Sequence, residues 1–275
     1  MSRALFWTTL RLSQWAIVAW AAFLVLYGLL LILLFPFIQK TSGSLIDFMR
    51  SLPPGLLNSM GMTKATLDEL FAQQGLTMDG WLATGYFNRW VVMVGIYAFL
   101  FGSGTVAREV ERGTMELLLS HPVPRYALVT SKFIAFLAIA GGLVLCTVGG
   151  IAAGVFSLGA EVNLWRVFLA TAQGSMAVIT IAAYSLLLSC LFLDPRKAMA
   201  LAGGVTAAQY ILNLMGPAMG SFQWAQKLSL FYYFHPLEVI AHGEFALSSV
   251  LVYVGVTVAC FAGALLVIQR KKAVV

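Results

Sequence analysis

The charged residues with the most informative spacing lie in one short stretch, between Arg108 and Arg125. It holds three glutamates and three arginines in eighteen residues, and long apolar segments flank it on both sides. On a helix, the pairs Glu109–Arg112 (i,i+3) and Arg112–Glu116 (i,i+4) would place opposite charges beside each other. This pattern is not a set of catalytic groups. It favours a short exposed helix that offers charge to a soluble protein partner.

The residues that follow in this stretch predict a bend and a rigid return. Gly113 weakens or bends a helix, and Pro122 and Pro124 end it and impose an extended exit. The leucines at 117–119 add an apolar face. The alternative is a solvated loop that merely carries basic residues on the inner side of a membrane, but acidic residues contribute little to that preference. We therefore interpret residues 107–125 as a cytoplasmic docking element.

The composition identifies the environment of this element as a membrane. Of 275 residues, 60% are hydrophobic and 10% are charged, and the mean hydropathy is +0.89. A soluble protein carries about 25% charged residues. The long uncharged apolar segments favour spanning helices over the alternating strands of a barrel. The net charge of +6 does not indicate nucleic acid, because the basic residues cluster in the predicted inner loops.

Six segments approach the roughly 20 apolar residues that a spanning helix needs. They are Ile17–Phe37, Trp90–Val106, Phe133–Ser157, Val167–Leu193, Ala198–Met215 and Leu247–Ile268. With both termini in the cytoplasm, eleven of the 17 basic residues lie inside, so the inner net charge is 11 − 4 = +7 and the outer is 6 − 7 = −1. Basic residues favour the cytoplasmic side. We predict an all-α, multi-pass protein of the cell inner (plasma) membrane with both termini cytoplasmic.

Three further segments complete the predicted architecture. Residues 1–14 alternate arginines with leucines and aromatics, which suits an interfacial amphipathic helix on the lipids of the inner leaflet; the alternative is an extension of the first span. Residues 39–88 form an outer segment of short helices, with a capping box at Thr66-Leu67-Asp68-Glu69 and a stop at Gly75. Residues 216–246 form an aromatic-rich outer segment that re-enters the membrane.

The spans themselves carry little that could drive transport or catalysis. No charged residue lies near the middle of a span, which argues against an ion-coupled carrier, and the chain has no phosphate-binding loop motif. Gly102-Ser103-Gly104 faintly resembles the serine motif of membrane-embedded proteases, but no histidine lies within a span to activate the serine. The cysteines and histidines are far apart in the sequence, so no catalytic or metal site is predicted. The paired glycines in the spans, and Gly150 with Gly154, suit close helix packing.

Residues 109–125 resemble the signature of the membrane subunits of type-2 ATP-binding-cassette (ABC) transporters. The shared pattern is an acidic cluster, Gly113-Thr114, a leucine run and Pro122-x-x-Arg125. It lies between the second and third spans, as in that family, and the resemblance in the arrangement of spans extends over the whole chain. Met115 stands where leucine is usual.

The resemblance implies an assembly and a set of site residues. Residues 1–275 would be one transmembrane permease domain that pairs with a second permease subunit, identical or different, and with two copies of a cytoplasmic ABC ATPase. ATP and Mg would be bound by that ATPase, so this chain would have no cofactor and no catalytic site of its own. The coupling residues implied are Glu109, Glu111, Arg112, Gly113, Glu116, Pro122 and Arg125.

The family also implies that the second and fifth spans line the translocation path. The polar candidates for that lining are Tyr97, Ser103, Thr105, Thr206, Gln209, Tyr210 and Asn213. For each of them the alternative is hydrogen bonding between helices of one subunit. The lack of charge in the spans suits export of a hydrophobic or amphipathic molecule, such as a lipid, a peptide or an antibiotic. The alternative function is an ion-coupled secondary carrier or a membrane sensor without an ATPase.

Overall fold

The computed structural model describes residues 3–53, 56, 77–111, 113, 125–216 and 220–270, and within them the chain is helical, with no strand. In chain order the α-helices of this part are α1 (Arg3–Ser51), α2 (Met78–Trp81), α3 (Asn88–Gly104), α4 (Ala107–Glu111), α5 (Arg125–Leu158), α6 (Leu164–Leu191), α7 (Pro195–Met215), α8 (Pro236–His242) and α9 (Leu247–Arg270). A π-helix joins α2 to α3 (Leu82–Phe87), and two 3₁₀-helices precede α8 (Gly220–Leu228 and Leu230–Tyr233).

Five helices of the described residues are long and apolar enough to cross a membrane. They comprise Leu5–Gln39 of α1, Tyr126–Leu158 of α5, and the helices α6, α7 and α9. A helix satisfies its own backbone groups, which hydrocarbon cannot do. The prediction of a helical multi-pass membrane protein is therefore confirmed. The helix α3 has 17 residues, the lower end of the range for a span, so the sixth span and the cytoplasmic position of the termini stay predictions.

The helix α1 is longer than the sequence indicated. It runs unbroken through Pro36 to Ser51, so residues 3–14 are continuous with the first span, and their position at the surface of the inner leaflet stays a prediction. A proline inside a spanning helix is tolerated when neighbouring groups replace the lost backbone bonds. Close to this proline, Trp81 Nε1 donates to the Leu31 carbonyl (2.8 Å), which attaches α2 to α1.

The outer segment 39–88 is shared between three elements. The end of α1 covers its first part, and α2 with the π-helix covers residues 78–87. The predicted capping box at Thr66–Glu69 and the stop at Gly75 lie outside the described residues. The π-helix is attached to α1, because Tyr27 donates to the Gly85 carbonyl (3.0 Å) and Tyr86 donates to the Leu24 carbonyl (3.1 Å).

The helix α6 occupies the centre of the bundle, where it packs against α3, α5, α7 and α9, while α1 lies along α5. Glycines permit the closest approaches. A Cβ at Gly102 of α3 would lie 2.7 Å from the Ala182 carbonyl oxygen of α6. A Cβ at Gly154 of α5 would lie 2.7 Å from Ile32 Cδ1 of α1, and one at Gly150 would lie 3.0 Å from Val25. The packing interpretation is confirmed for Gly150 and Gly154, but nothing within the described residues lies within 4 Å of a Cβ at Gly141, Gly142, Gly149 or Gly204.

Two side-chain caps fix where α6 and α7 begin. Asn163 Oδ1 accepts from the backbone N–H groups of Trp165 and Arg166 (3.1 and 3.3 Å). Asp194 Oδ1 accepts from those of Arg196 and Lys197 (2.9 and 3.3 Å), and Pro195 occupies the first helical position. Such caps satisfy backbone donors that have no partner within the helix. Asn163 thus fixes the turn between α5 and α6, and Asp194 fixes the turn between α6 and α7 at the other end of α6.

Candidate coupling site and translocation path

The predicted docking element begins after a short turn that separates α3 from α4. The helix α3 ends at Gly104 and α4 begins at Ala107, so Thr105 and Val106 form a turn between them. The backbone N–H of Glu109 bonds to the Val106 carbonyl, three residues back (3.0 Å). Because a new helix starts here, its first N–H groups need partners from elsewhere. Buried backbone groups without partners are costly, so the junction requires outside donors and acceptors.

Two side chains from other helices supply these partners. Ser189 Oγ of α6 accepts from the backbone N–H groups of Val106 (3.1 Å) and Ala107 (3.0 Å). Lys132 Nζ of α5 donates to the Thr105 carbonyl oxygen (2.7 Å). All three hydrogen bonds are buried. The start of α4 is thus fastened to both α5 and α6.

Lys132 also holds the first acidic residue of the docking element. Its Nζ lies 2.6 Å from Glu109 Oε1, and the two side chains are 11% and 23% exposed, respectively. A charge-assisted bond of this length is stronger than a neutral one. We refer to Thr105, Val106, Ala107, Glu109, Lys132 and Ser189 together as the junction cluster. A direct contact of Glu109 with an ATPase stays a prediction; its bond to Lys132 gives it a second role inside the chain.

Sequence reasoning did not assign a role to Lys132 or Ser189. The third span was predicted to begin at Phe133, which left Lys132 as one more basic loop residue, whereas α5 begins at Arg125 and encloses it. The apolar run of residues 127–129 ahead of Lys132 was a usable signal of this earlier start. Nothing in the sequence separates Ser189 from the other hydroxyl residues of α6.

The other predicted coupling residues are described only in part. Glu111 at the end of α4 is exposed. Gly113 has φ +67°, a left-handed conformation that favours glycine, so the expected bend lies there. Arg125 is the first residue of α5. Arg112, Glu116 and Pro122 lie outside the described residues.

The three path candidates of the second span are buried within this one chain. Tyr97 lies among rings that include Trp20 of α1 and Phe136 of α5, with centroids 6.1 and 6.3 Å away. Ser103 and Thr105 are buried and donate to carbonyls of α3, Ser103 to Leu100 (3.4 Å) and Thr105 to Phe101 (2.9 Å). The glycines that flank Ser103 have packing roles: Gly102 touches α6, and the Arg108 side chain covers Gly104.

The path candidates of the fifth span mostly bond to neighbouring elements. The Thr206 hydroxyl pairs with that of Tyr184 on α6. The side-chain oxygen of Gln209 accepts from the Leu230 N–H (3.1 Å), and that of Asn213 accepts from Gln226 Nε2 (3.4 Å).

Tyr210 of the same helix packs edge-on against Phe231 and is 40% exposed. The alternative of hydrogen bonding within one subunit therefore describes Thr206, Gln209 and Asn213, and the lining of a path stays a prediction.

At the end of α6 opposite Ser189, Arg166 lies near two short helices. Its Nη1 donates to the Ile240 carbonyl near the end of α8 (3.0 Å). Asp79 of α2 is half-buried near this arginine; burial raises the pKa of Asp79 above its ordinary value, and the positive charge of Arg166 opposes that rise. The start of α6 is thus attached to α8 and lies close to α2.

The arrangement agrees with one family of transporters. The family model described as ABC-2 family transporter protein matches residues 14–273, nearly the whole chain. The search of curated proteins found no match to this chain. The match to the family model shows that the chain belongs to the ABC-2 family of transporter proteins.

Proposed function

We propose that this chain is the permease subunit of an ATP-driven ABC transporter and that α4 is the helix that couples it to a separate ATPase. The observation that carries the proposal is that the two ends of α4 differ in their surroundings. Its start is fastened to two membrane helices through Lys132 and Ser189, while Glu111 at its other end is exposed. A helix held in this way can receive force from a soluble partner and pass it into the membrane.

The chemistry of ATP hydrolysis belongs to the partner in this proposal. ATP and Mg bind to two copies of a cytoplasmic ABC ATPase, and a second permease subunit completes the path. The Glu111 carboxylate, near the turn at Gly113, supplies charge for docking, and Arg112, Glu116, Pro122 and Arg125 complete the docking element. Electrostatic complementarity of this kind sets register and partner choice more than raw affinity.

We infer that the cargo is hydrophobic or amphipathic and that it is exported. The support is chemical: the sequence places no charged residue near the middle of a span, and a charged cargo would need such groups at membrane depth. The exposed part of α7, with Tyr210 among apolar side chains, suits a lipid-like or peptide-like molecule.

The test is purification of the tagged chain from its native membrane in a mild detergent. We expect an ABC ATPase to co-purify with the wild type and the yield of that ATPase to fall sharply with Glu111→Arg. The matched control is Glu238→Arg, because Glu238 is an exposed glutamate on another short helix, α8. Transport by the purified chain alone, driven by an ion gradient, would instead establish the secondary carrier.

A further inference from the structure

We propose that the junction cluster makes α4 move as one body with α5 and α6, so that Lys132 and Ser189 transmit the displacement of the coupling helix into the membrane helices. The proposal rests on the proposed function of α4 and adds positioning residues to it. It concerns Lys132 in particular, because this one cation contacts α4 and the preceding turn at the same time.

The break at Thr105 and Val106 explains why such residues are needed. A continuous helix would transmit force from α4 to α3 through its own hydrogen bonds, but a turn between two helices can act as a hinge. In this protein the backbone groups at the turn bond to Ser189 and Lys132 instead. A displacement of α4 must therefore break these buried bonds or carry α5 and α6 with it.

The packing around the cluster favours joint movement over breakage. Just before the turn, a Cβ at Gly102 would lie 2.8 Å from Ser185 Cβ and 3.1 Å from the Leu186 backbone nitrogen, so α3 and α6 are in close contact there. The helix α6 in turn contacts α7 and α9. The helix α5, which carries Lys132, packs along α1. A push on α4 reaches the rest of the bundle through these two helices.

Lys132 can be altered in ways that separate its charge from its bulk. Lys132→Met keeps an unbranched side chain but donates to neither Thr105 nor Glu109, whereas Lys132→Arg keeps donors for both. Glu109→Gln removes the charge of the partner and leaves the bond from Lys132 to the Thr105 carbonyl. Ser189→Ala removes the second attachment alone. The exposed pair Lys197–Asp194 (3.8 Å) offers the control variant Lys197→Met.

The experiment measures spin-label distances in the complex with its co-purified ATPase, before and after trapping with ATP and vanadate. Cys146, Cys190 and Cys260 are first replaced by alanine. One label pair, Arg108→Cys with Tyr126→Cys, reports on α4 relative to α5. A second pair, Tyr126→Cys with Leu201→Cys, reports on the membrane helices α5 and α7. Tyr126 and Leu201 are exposed.

In the otherwise wild-type chain we expect trapping to leave the first distance unchanged and to shift the second. In Lys132→Met the first distance should broaden, and the trapping-induced shift of the second should be lost while the ATPase stays bound. Lys132→Arg and Lys197→Met should behave as wild type. Glu109→Gln and Ser189→Ala should each lose part of the shift, and they carry the test if Lys132→Met does not fold.

Two results would overturn the proposal, and they can be told apart. If trapping changes the α4–α5 distance in the otherwise wild-type chain, α4 slides independently and the junction cluster does not transmit, although the ATPase still couples. Equal shifts in the wild type and in Lys132→Met lead to the same conclusion. If no ATPase co-purifies with the wild type, the proposed function itself fails, and this is known before any label is attached.

Discussion

At the residue scale, Asp79 makes one consequence of partial burial measurable. Burial raises the pKa of Asp79 above its ordinary value of 3.8, and the nearby Arg166 reduces this rise without cancelling it. The folded state therefore binds the proton more tightly than the unfolded state. Stability falls as the pH rises from about 4 through the raised pKa, and this loss is complete above it.

We expect Asp79→Asn to remove this pH-dependent loss of stability. The variant should gain thermal stability over the wild type near neutral pH and gain least near pH ~4, where Asp79 is already protonated in the fold. Melting curves in detergent at several pH values measure the difference. Glu238→Gln, at an exposed position on α8, is the control. A gain that is the same at every pH, or that grows toward acid, would contradict the assignment.

Single residues also show what a sequence can and cannot reveal about the site. The spacing of charges made Glu109 a candidate coupling residue, and the left-handed conformation of Gly113 suits the residue type. Lys132 and Ser189 were missed because their partners lie 23 and about 80 positions away in the sequence. Contacts across that distance depend on which faces of α5 and α6 turn toward α4, and hydropathy does not determine the rotation of a helix.

At the scale of elements, the contact between α3 and α6 depends on a glycine. A Cβ at Gly102 would lie 2.7 Å from the Ala182 carbonyl oxygen, a backbone atom that cannot move without shifting α6. We expect Gly102→Ala to lower the free energy of unfolding of the purified chain by ~1–3 kcal/mol, the usual cost of overpacking, and so to lower its melting temperature. Gly141→Ala on α5 is the matched control, because nothing lies within 4 Å of a Cβ there.

The same pair of variants distinguishes packing from helix propensity. Alanine favours a helix over glycine at either position, so propensity alone predicts that both variants melt at or above the wild-type temperature. A lower melting temperature for Gly102→Ala only would assign the loss to the helix contact. Equal melting temperatures for the two variants would mean that α3 and α6 are less closely packed than the distances indicate.

The elements differ in how far their bounds could be predicted. The bounds of α6, α7 and α9 came within three residues of the expected spans, because the apolar segment covers almost the whole of each helix. The caps Asn163 and Asp194, which hydropathy does not reveal, start α6 and α7 three residues before the expected positions. The bounds of α1 and α5 were wrong by more. Hydropathy reports which residues suit hydrocarbon, and both helices continue beyond that region, α1 through Pro36 to Ser51 and α5 from Arg125.

At the scale of the whole molecule, α6 is attached at both of its ends to short elements outside the spans. Near its start, Arg166 donates to the Ile240 carbonyl of α8. Near its end, Ser189 accepts from the backbone at the start of α4. A rigid central helix with such attachments would transmit a movement at one membrane face to the other. The direction of that transmission depends on which face lies in the cytoplasm.

The orientation can be tested with the exposed residues Glu111 and Lys227, one at each predicted face. In a chain without its native cysteines, we expect a membrane-impermeant thiol reagent to label Lys227→Cys in intact cells and to label Glu111→Cys only after permeabilisation. The reason is the charge distribution, +7 for the inner segments against −1 for the outer ones. Labelling of Glu111→Cys from outside would place α4 away from cytoplasmic ATP. No ATPase could then dock on it, and the permease proposal would fail together with the role of the junction cluster.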